Sequence, residues 1–174
     1  MSQQTAQDST SSADTCGAAM MTLQHKWLAQ MAGTWTYTST CVAGPDGEKH
    51  EMSGKETVRI LGGLWAVGEM TGTTPGGPMT AQIALGYDPA KGKFIGSFVC
   101  SAMAAMFVYE GSLDPDRRVL TLDTEGPAMD GDGTMAYQDI VEIVDDDHRV
   151  MRSRMKGPDG EWIEFMRADY TRIG

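Results

Sequence analysis

From residue 35 onwards, apolar and polar residues alternate in about ten short runs, each closed by Gly, Pro or Asp. Alternation with a period of two is typical of strands that bury one face. In the first run, threonine takes every second position, and β-branched threonine suits an exposed strand face. We therefore expect Trp35, Tyr37, Ser39 and Cys41 to point inward. The other predicted strands cover residues 50–61, 64–72, 79–87, 93–103, 106–113, 118–124, 135–144, 150–155 and 161–171.

A different period precedes the strands. Leu23, Trp27 and Met31 recur every four residues, which predicts a short helix with one apolar stripe. Thr22 can cap its start, and Gly33 can terminate it. Such a helix would plug one end of a barrel.

Polar residues dominate the first part of the chain, up to Asp14. With so little apolar surface to bury, this part is predicted to be disordered or loosely attached. We place the segment boundary at 1–19 and the folded domain at 20–174.

Hairpin-like spacing of strands, with no second helical pattern, predicts an all-β fold. The expected architecture is a single antiparallel up-and-down β-barrel of about 8–10 strands with a short N-terminal helix. Closure would remove the exposed edges of so long a meander. Barrels of this size enclose a cavity.

Charge and composition exclude several partners. The formal net charge is −10 and the pI is about 4.6, so nucleic acid and anionic membranes are not expected partners. No apolar run is long enough to span a bilayer, and the start does not resemble a signal peptide, which favours a cytoplasmic location. Three cysteines, at positions 16, 41 and 100, favour reduced thiols over a Cys41–Cys100 disulfide.

Several short motifs resemble known barrel families. Gly33-Thr34-Trp35 resembles the Gly-x-Trp signature of the lipocalin and calycin barrels. More closely, the chain resembles a bacterial lipocalin-like family known only as domain of unknown function number 1579. The matching pieces lie between Trp27 and Arg172, at 61–65, 85–89, 109–111 and 170–172.

This resemblance implies a fold but no activity. In lipocalins, an arginine from the last strand packs over the signature tryptophan. The resemblance therefore implies that Arg167 or Arg172 covers Trp35. The count of runs favours ten strands, as in fatty-acid-binding proteins, over the eight of true lipocalins.

Glu56 is the main candidate for chemistry, because it shares the apolar face of its strand with Met52 and Val58. A carboxylate facing the interior would have a raised pKa and could act as a general base or bind a polar ligand group. The alternative is an ion pair with Arg59 or with an arginine of a neighbouring strand. Glu69 is a second candidate on the adjacent strand.

The remaining candidate residues describe a cavity. Ligand-binding positions are predicted on the inward faces of four strands, at Tyr37, Ser39, Cys41, Met52, Glu56, Phe98, Cys100 and Phe107. Met103 and Met106 add flexible apolar side chains that could line a cavity or simply fill the core. The three histidines, at 25, 50 and 148, fit no zinc spacing, and only His50 could face a haem. We expect no metal and no cofactor.

Three functions remain open. Binding of a small, largely apolar molecule inside the barrel is the leading one, because apolar burial supplies affinity. An isomerase, cyclase or hydratase could instead use Glu56 as base, with Tyr37 or an arginine as its partner. An oligomeric protein with a filled barrel is the third, and a homo-oligomer stays open in every case.

Overall fold

The computed structural model describes residues 20–43, 47–129 and 131–174. The predicted loose segment 1–19, with Cys16, and the centre of the first hairpin turn lie outside the described residues. One helix, α1 (Leu23–Ala29), precedes ten strands. These are β1 (Gly33–Ala43), β2 (Glu48–Leu61), β3 (Trp65–Thr74), β4 (Gly77–Asp88), β5 (Lys93–Cys100), β6 (Met106–Leu113), β7 (Val119–Pro127), β8 (Thr134–Ile143), β9 (His148–Lys156) and β10 (Trp162–Arg172).

All ten strands form one closed antiparallel barrel. Each strand pairs with its neighbours in sequence, and β1 closes the barrel by pairing with β10. Tyr37 on β1 lies opposite Tyr170 on β10 and opposite Gly54 on β2. The predicted all-β up-and-down barrel with a short N-terminal helix is confirmed, with ten strands. Within the described ranges, no helix is long and apolar enough to cross a membrane.

Alternation along β1 sets the inner face as the sequence predicts. Trp35, Tyr37 and Ser39 are buried, whereas Thr38 and Thr40 are exposed. Because paired residues in neighbouring strands point to the same side, this phase propagates around the barrel.

The helix α1 closes one end of the barrel and lies against β3 and β4. Thr22 caps it as predicted, and His25 completes a capping box. The apolar stripe differs from the prediction, because Leu23 is 60% exposed whereas Leu28 is buried. Gly33 does not terminate the helix. Gln30 is the C-cap, and Gly33 opens β1 with a φ of 127°.

At this closed end, two tryptophans anchor the helix to the strands. The Trp35 indole donates a hydrogen bond to the Met31 carbonyl, and the Trp27 indole donates one to the Arg117 carbonyl, each at 2.9 Å. The guanidinium of Arg172 lies 4.1 Å from the centre of the Trp35 ring and donates to the Gln30 carbonyl at 3.0 Å. Arg172 thus takes the position that the resemblance implies, and Arg167 instead pairs with Asp169 on the outside.

Packing is uneven along the barrel axis. Side chains near the closed end fill the interior, and Phe94, Tyr109, Leu85, Leu120 and Leu122 are at most 1% exposed. Toward the opposite end, several inward side chains, among them Phe98, Cys100 and Phe107, are only half-buried. We call these two regions the closed half and the open half of the lumen.

Candidate functional site

The open half of the lumen is the best candidate site. Its inward apolar side chains are half-buried, and several of them pack on the core. They are Cys41, Met52, Phe98, Cys100, Phe107, Met151 and Met166.

Apart from Glu56, the predicted ligand-binding residues lie on two walls of the barrel. Ser39 on β1 lies directly opposite Met52 on β2, with Tyr37 and Cys41 in the same phase. Phe98 on β5 lies opposite Phe107 on β6, with ring centres 6.4 Å apart, and Cys100 is in phase with Phe98. Strands β3 and β4 separate the two walls.

Glu56 lies deeper, in the closed half. Its carboxylate accepts a hydrogen bond from the guanidinium of Arg149 on β9, and the two side chains are 3% and 4% exposed. Arg149 packs between aromatic rings, 4.7 Å from the centre of Trp35 and 4.3 Å from that of Tyr170. Of the alternatives for Glu56, this geometry favours the ion pair. A catalytic or ligand-binding role for Glu56 stays a prediction.

The partner of Glu56 is not on an adjacent strand. β10 and β1 separate β9 from β2, so the pair crosses the lumen. Gly68 makes room for it, because a Cβ there would lie 2.4 Å from the Glu56 carboxylate. Burial lowers the pKa of Arg149 to about 10, which still leaves it charged at neutral pH.

Two tyrosines cover this pair on the side of the open half. The rings of Tyr37 and Tyr170 are 5.2 Å apart, and burial raises both phenol pKa values, that of Tyr170 to about 12. The Tyr37 ring lies flat on the wall, because its hydroxyl reaches over Gly54 and Gly72. A Cβ at Gly72 would lie 2.4 Å from that hydroxyl. Gly54 and Gly72 therefore leave space for the phenol of Tyr37 against the barrel wall.

A second buried carboxylate, which the sequence analysis missed, lies beside these tyrosines. Asp139 on β8 accepts a hydrogen bond from the Tyr109 hydroxyl at 2.5 Å and another from the Ser153 hydroxyl. Burial raises the pKa of Asp139 more than these two hydrogen bonds lower it. Among the described residues, no lysine or arginine forms an ion pair with Asp139.

Asp139 is on the inward face of β8. It lies opposite Leu122 and Ser153, both buried, and is itself half-buried. A signal for it existed in the sequence, since Asp139 alternates in phase with Tyr137 and Val141 within the predicted strand 135–144. This is the same pattern that singled out Glu56.

One hydroxyl in the lumen has no partner. Ser39 is 6% exposed, and its Oγ makes no hydrogen bond within the described part of the chain. Its position opposite Met52 puts it on the inner face of the open half. Buried hydroxyls normally have a partner, so Ser39 is available to a ligand.

Other candidates lie away from the lumen. Glu69 is exposed and lies opposite Thr57 and Gln82 on the outer face, so it is not beside Glu56. Met103 and Met106 are 47% and 61% exposed, and their predicted contribution to a cavity lining is wrong. His50 lies at the rim, with its Nε2 4.0 Å from Glu48.

The outer wall carries an apolar patch on β5 and β6. Val99 lies opposite Met106, and with Val108 they are 40% to 61% exposed. A groove of about 490 Å³ runs from Met106 and Val108 to Trp162. Another groove, of about 770 Å³, has mostly polar walls on β10, β1, β2 and β3.

Cys41 and Cys100 are free thiols.

Comparison with solved structures supports the barrel fold. The S-type phycobiliprotein lyase CPES from Guillardia theta is similar over 90% of this chain and 95% of its own, at 12% identity and a TM-score of 0.61. Rv2717c from M. tuberculosis is similar over 89% of this chain and all of its own, at 13% identity and a TM-score of 0.60. At these identities, the likeness establishes the fold alone.

No curated protein matches the sequence. The family described as "Protein of unknown function (DUF1579)" matches residues 21–172, which is nearly the whole barrel with its helix. That match agrees with the residues on which the sequence resemblance depends. The chain therefore belongs to the DUF1579 family.

Proposed function

We propose that this protein binds a small, largely apolar molecule in the open half of its lumen. The observation that carries the proposal is the contrast between the two halves. Phe94, Leu85 and Leu120 are at most 1% exposed in the closed half, whereas Phe98, Cys100 and Phe107 are only half-buried in the open half. Apolar walls around open space would supply affinity by taking the ligand's surface out of water.

Polar groups in the lumen would orient the ligand. The unpartnered Ser39 hydroxyl and the half-buried Asp139 carboxylate, both on inward strand faces, are the groups we assign to this role. A few polar groups in a mostly apolar pocket are typical of small-molecule sites, since each leaves a penalty unless the ligand satisfies it.

The site is better suited to binding than to catalysis by Glu56. A base must reach the proton that it abstracts, and Glu56 is engaged by Arg149 below Tyr37 and Tyr170. Asp139 is therefore a better candidate than Glu56 for a carboxylate that binds the ligand.

A fluorescent apolar probe tests the proposal. 1-N-Phenylnaphthylamine is neutral and brightens in apolar surroundings, so it should bind the protein with saturable fluorescence. Cys100→Trp places an indole in the lumen and should abolish this signal while the thermal melt persists. Val99→Trp is the matched control, because its side chain points outward from the neighbouring position of the same strand.

Two results would contradict the proposal. One is the absence of saturable probe binding by the folded wild-type protein. The other is equal probe binding by folded Cys100→Trp and Val99→Trp, which would place the probe on the outer wall.

A further inference from the structure

The lumen contains one carboxyl group, that of Asp139, with which no cation of the described chain pairs. Glu56 and Arg149 cancel each other in their ion pair. Asp139 receives hydrogen bonds only from the neutral hydroxyls of Tyr109 and Ser153. A buried ion is costly unless it is paired, so a carboxylate held in this way is a poor choice for stability alone.

The geometry leaves room for a third partner of Asp139. Each carboxylate oxygen accepts one protein hydrogen bond, Oδ2 from Tyr109 and Oδ1 from Ser153, although each has capacity for a second. The two hydroxyls hold the carboxylate plane in one orientation. Asp139 is half-buried and in phase with the buried residues Tyr137 and Val141 on the inward face of β8, which directs the remaining capacity toward the lumen.

The other groups around Asp139 do not supply a positive charge either. Leu122 on β7 and Ser153 on β9 are its register neighbours, and the phenol of Tyr170 lies near enough to be influenced by its charge. The guanidinium of Arg149 donates to Glu56 and lies against the rings of Trp35 and Tyr170, and its buried Nε makes no hydrogen bond within the described residues. No described lysine, arginine or histidine forms an ion pair with Asp139, so a cationic partner would come from a ligand.

We propose that the ligand of the lumen carries a protonated amine or an equivalent cationic N–H donor at its inner end, and that Asp139 binds this group. The apolar remainder of the ligand would lie along Phe98, Phe107 and Met166 toward the open end. This inference rests on the proposed function, because it names the ligand class of the same lumen.

Three molecules of one chain length test the inference: n-decylamine, n-decanol and n-decanoate. Each is titrated at pH 7 against protein loaded with 1-N-phenylnaphthylamine, and its displacement of the probe is measured. We expect decylamine to displace the probe at a concentration about tenfold or more below that of decanol, because a charge-assisted hydrogen bond replaces a neutral one. Decanoate should be the weakest, since it meets the Asp139 carboxylate.

Asp139→Asn separates this contact from the general attraction of an acidic protein for cations. In this variant decylamine should lose its advantage over decanol, each displacement being referred to the affinity of the same variant for the probe. Asp123→Asn is the matched control, because it removes the same charge from the exposed face of β7. It should keep the wild-type ranking.

The outcomes distinguish the two proposals. If the probe does not bind, the proposed function fails. If the probe binds but decanol or decanoate displaces it as well as decylamine does, the function stands and the inference is overturned. Equal loss of the amine preference in Asp139→Asn and Asp123→Asn would also overturn it. The wild-type ranking requires no variant, so a poorly folded Asp139→Asn leaves the test intact.

Discussion

Asp139 is expected to lower the stability of the free protein, because its carboxylate has no cationic partner among the described residues. Asparagine has almost the same shape, and the hydroxyls of Tyr109 and Ser153 can rotate to donate or accept. We therefore expect Asp139→Asn to raise the melting temperature at pH 7, because it removes a buried charge without a cationic partner. Differential scanning fluorimetry of both proteins without ligand checks this.

The same residue gives a pH dependence of definite sign. Burial raises the folded-state pKa of Asp139 above its unfolded value of 3.8, so the folded state binds more protons between these two values. Stability then falls as pH rises through this window. The advantage of Asp139→Asn should shrink as the pH is lowered toward 4. A variant that is less stable than wild type at pH 7 would mean that the carboxylate stabilises the fold.

Glu56 is expected to behave in the opposite way. Glu56→Gln leaves the guanidinium of Arg149 buried without its counter-charge, which typically costs about 3–5 kcal/mol. Urea denaturation measures the loss. The double variant Glu56→Gln/Arg149→Met should recover much of it, because both charges are then gone. If the single variant is as stable as wild type, the pair is not structural, and the binding or catalytic roles of Glu56 regain support.

Glu56, Asp139 and Arg149 show how much of the site can be predicted from the sequence alone. The phase of Glu56 predicted an inward carboxylate, and the same rule applied to residues 135–144 would have found Asp139. Arg149 could not be predicted as an inward residue, because the predicted strand began at residue 150 and the turn before it is rich in Asp. The pairing of Glu56 with Arg149 depends on barrel closure between β1 and β10, which no local pattern encodes.

At the scale of elements, the alternation of apolar and polar residues was sufficient to predict the strands. All ten predicted strands exist, with boundaries that differ by a few residues where a strand runs into a hairpin. The helix was harder, because seven residues offer only two turns of periodicity. Leu23 fitted the stripe by spacing, but contact with β3 and β4 selected Trp27 and Leu28 instead.

Trp35 joins the helix to the barrel and is expected to dominate the stability of the closed end. It is 1% exposed, donates to the Met31 carbonyl and lies between Arg149 and Arg172. Trp35→Ala should cost about 3–5 kcal/mol. Trp65→Ala is the control, because Trp65 is 37% exposed and should cost less. Thermal melts compare them, and equal losses would argue against a special role for the Gly-x-Trp position.

At the scale of the whole molecule, the proposed function assigns different roles to the two halves of the interior. The closed half contains the helix contacts, the buried aromatic residues and the Glu56–Arg149 pair. The open half contains half-buried apolar side chains and the unpartnered Ser39 hydroxyl. A ligand that covers these side chains and bonds to this hydroxyl would account for both features.

Two enlargements of small inward residues test this division directly. Ala66 is 2% exposed in the closed half, whereas Cys100 keeps accessible surface in the open half. Ala66→Trp has no space for its indole and should lose about 3 kcal/mol or fail to fold, because overpacking displaces neighbouring side chains. Cys100→Trp should lose less than about 1 kcal/mol, since the indole enters the space that we assign to the ligand. Urea unfolding followed by far-UV circular dichroism gives both values. A loss in Cys100→Trp as large as that in Ala66→Trp would show that the lumen is closely packed at both ends, and the ligand site would then have to be sought on the outer wall.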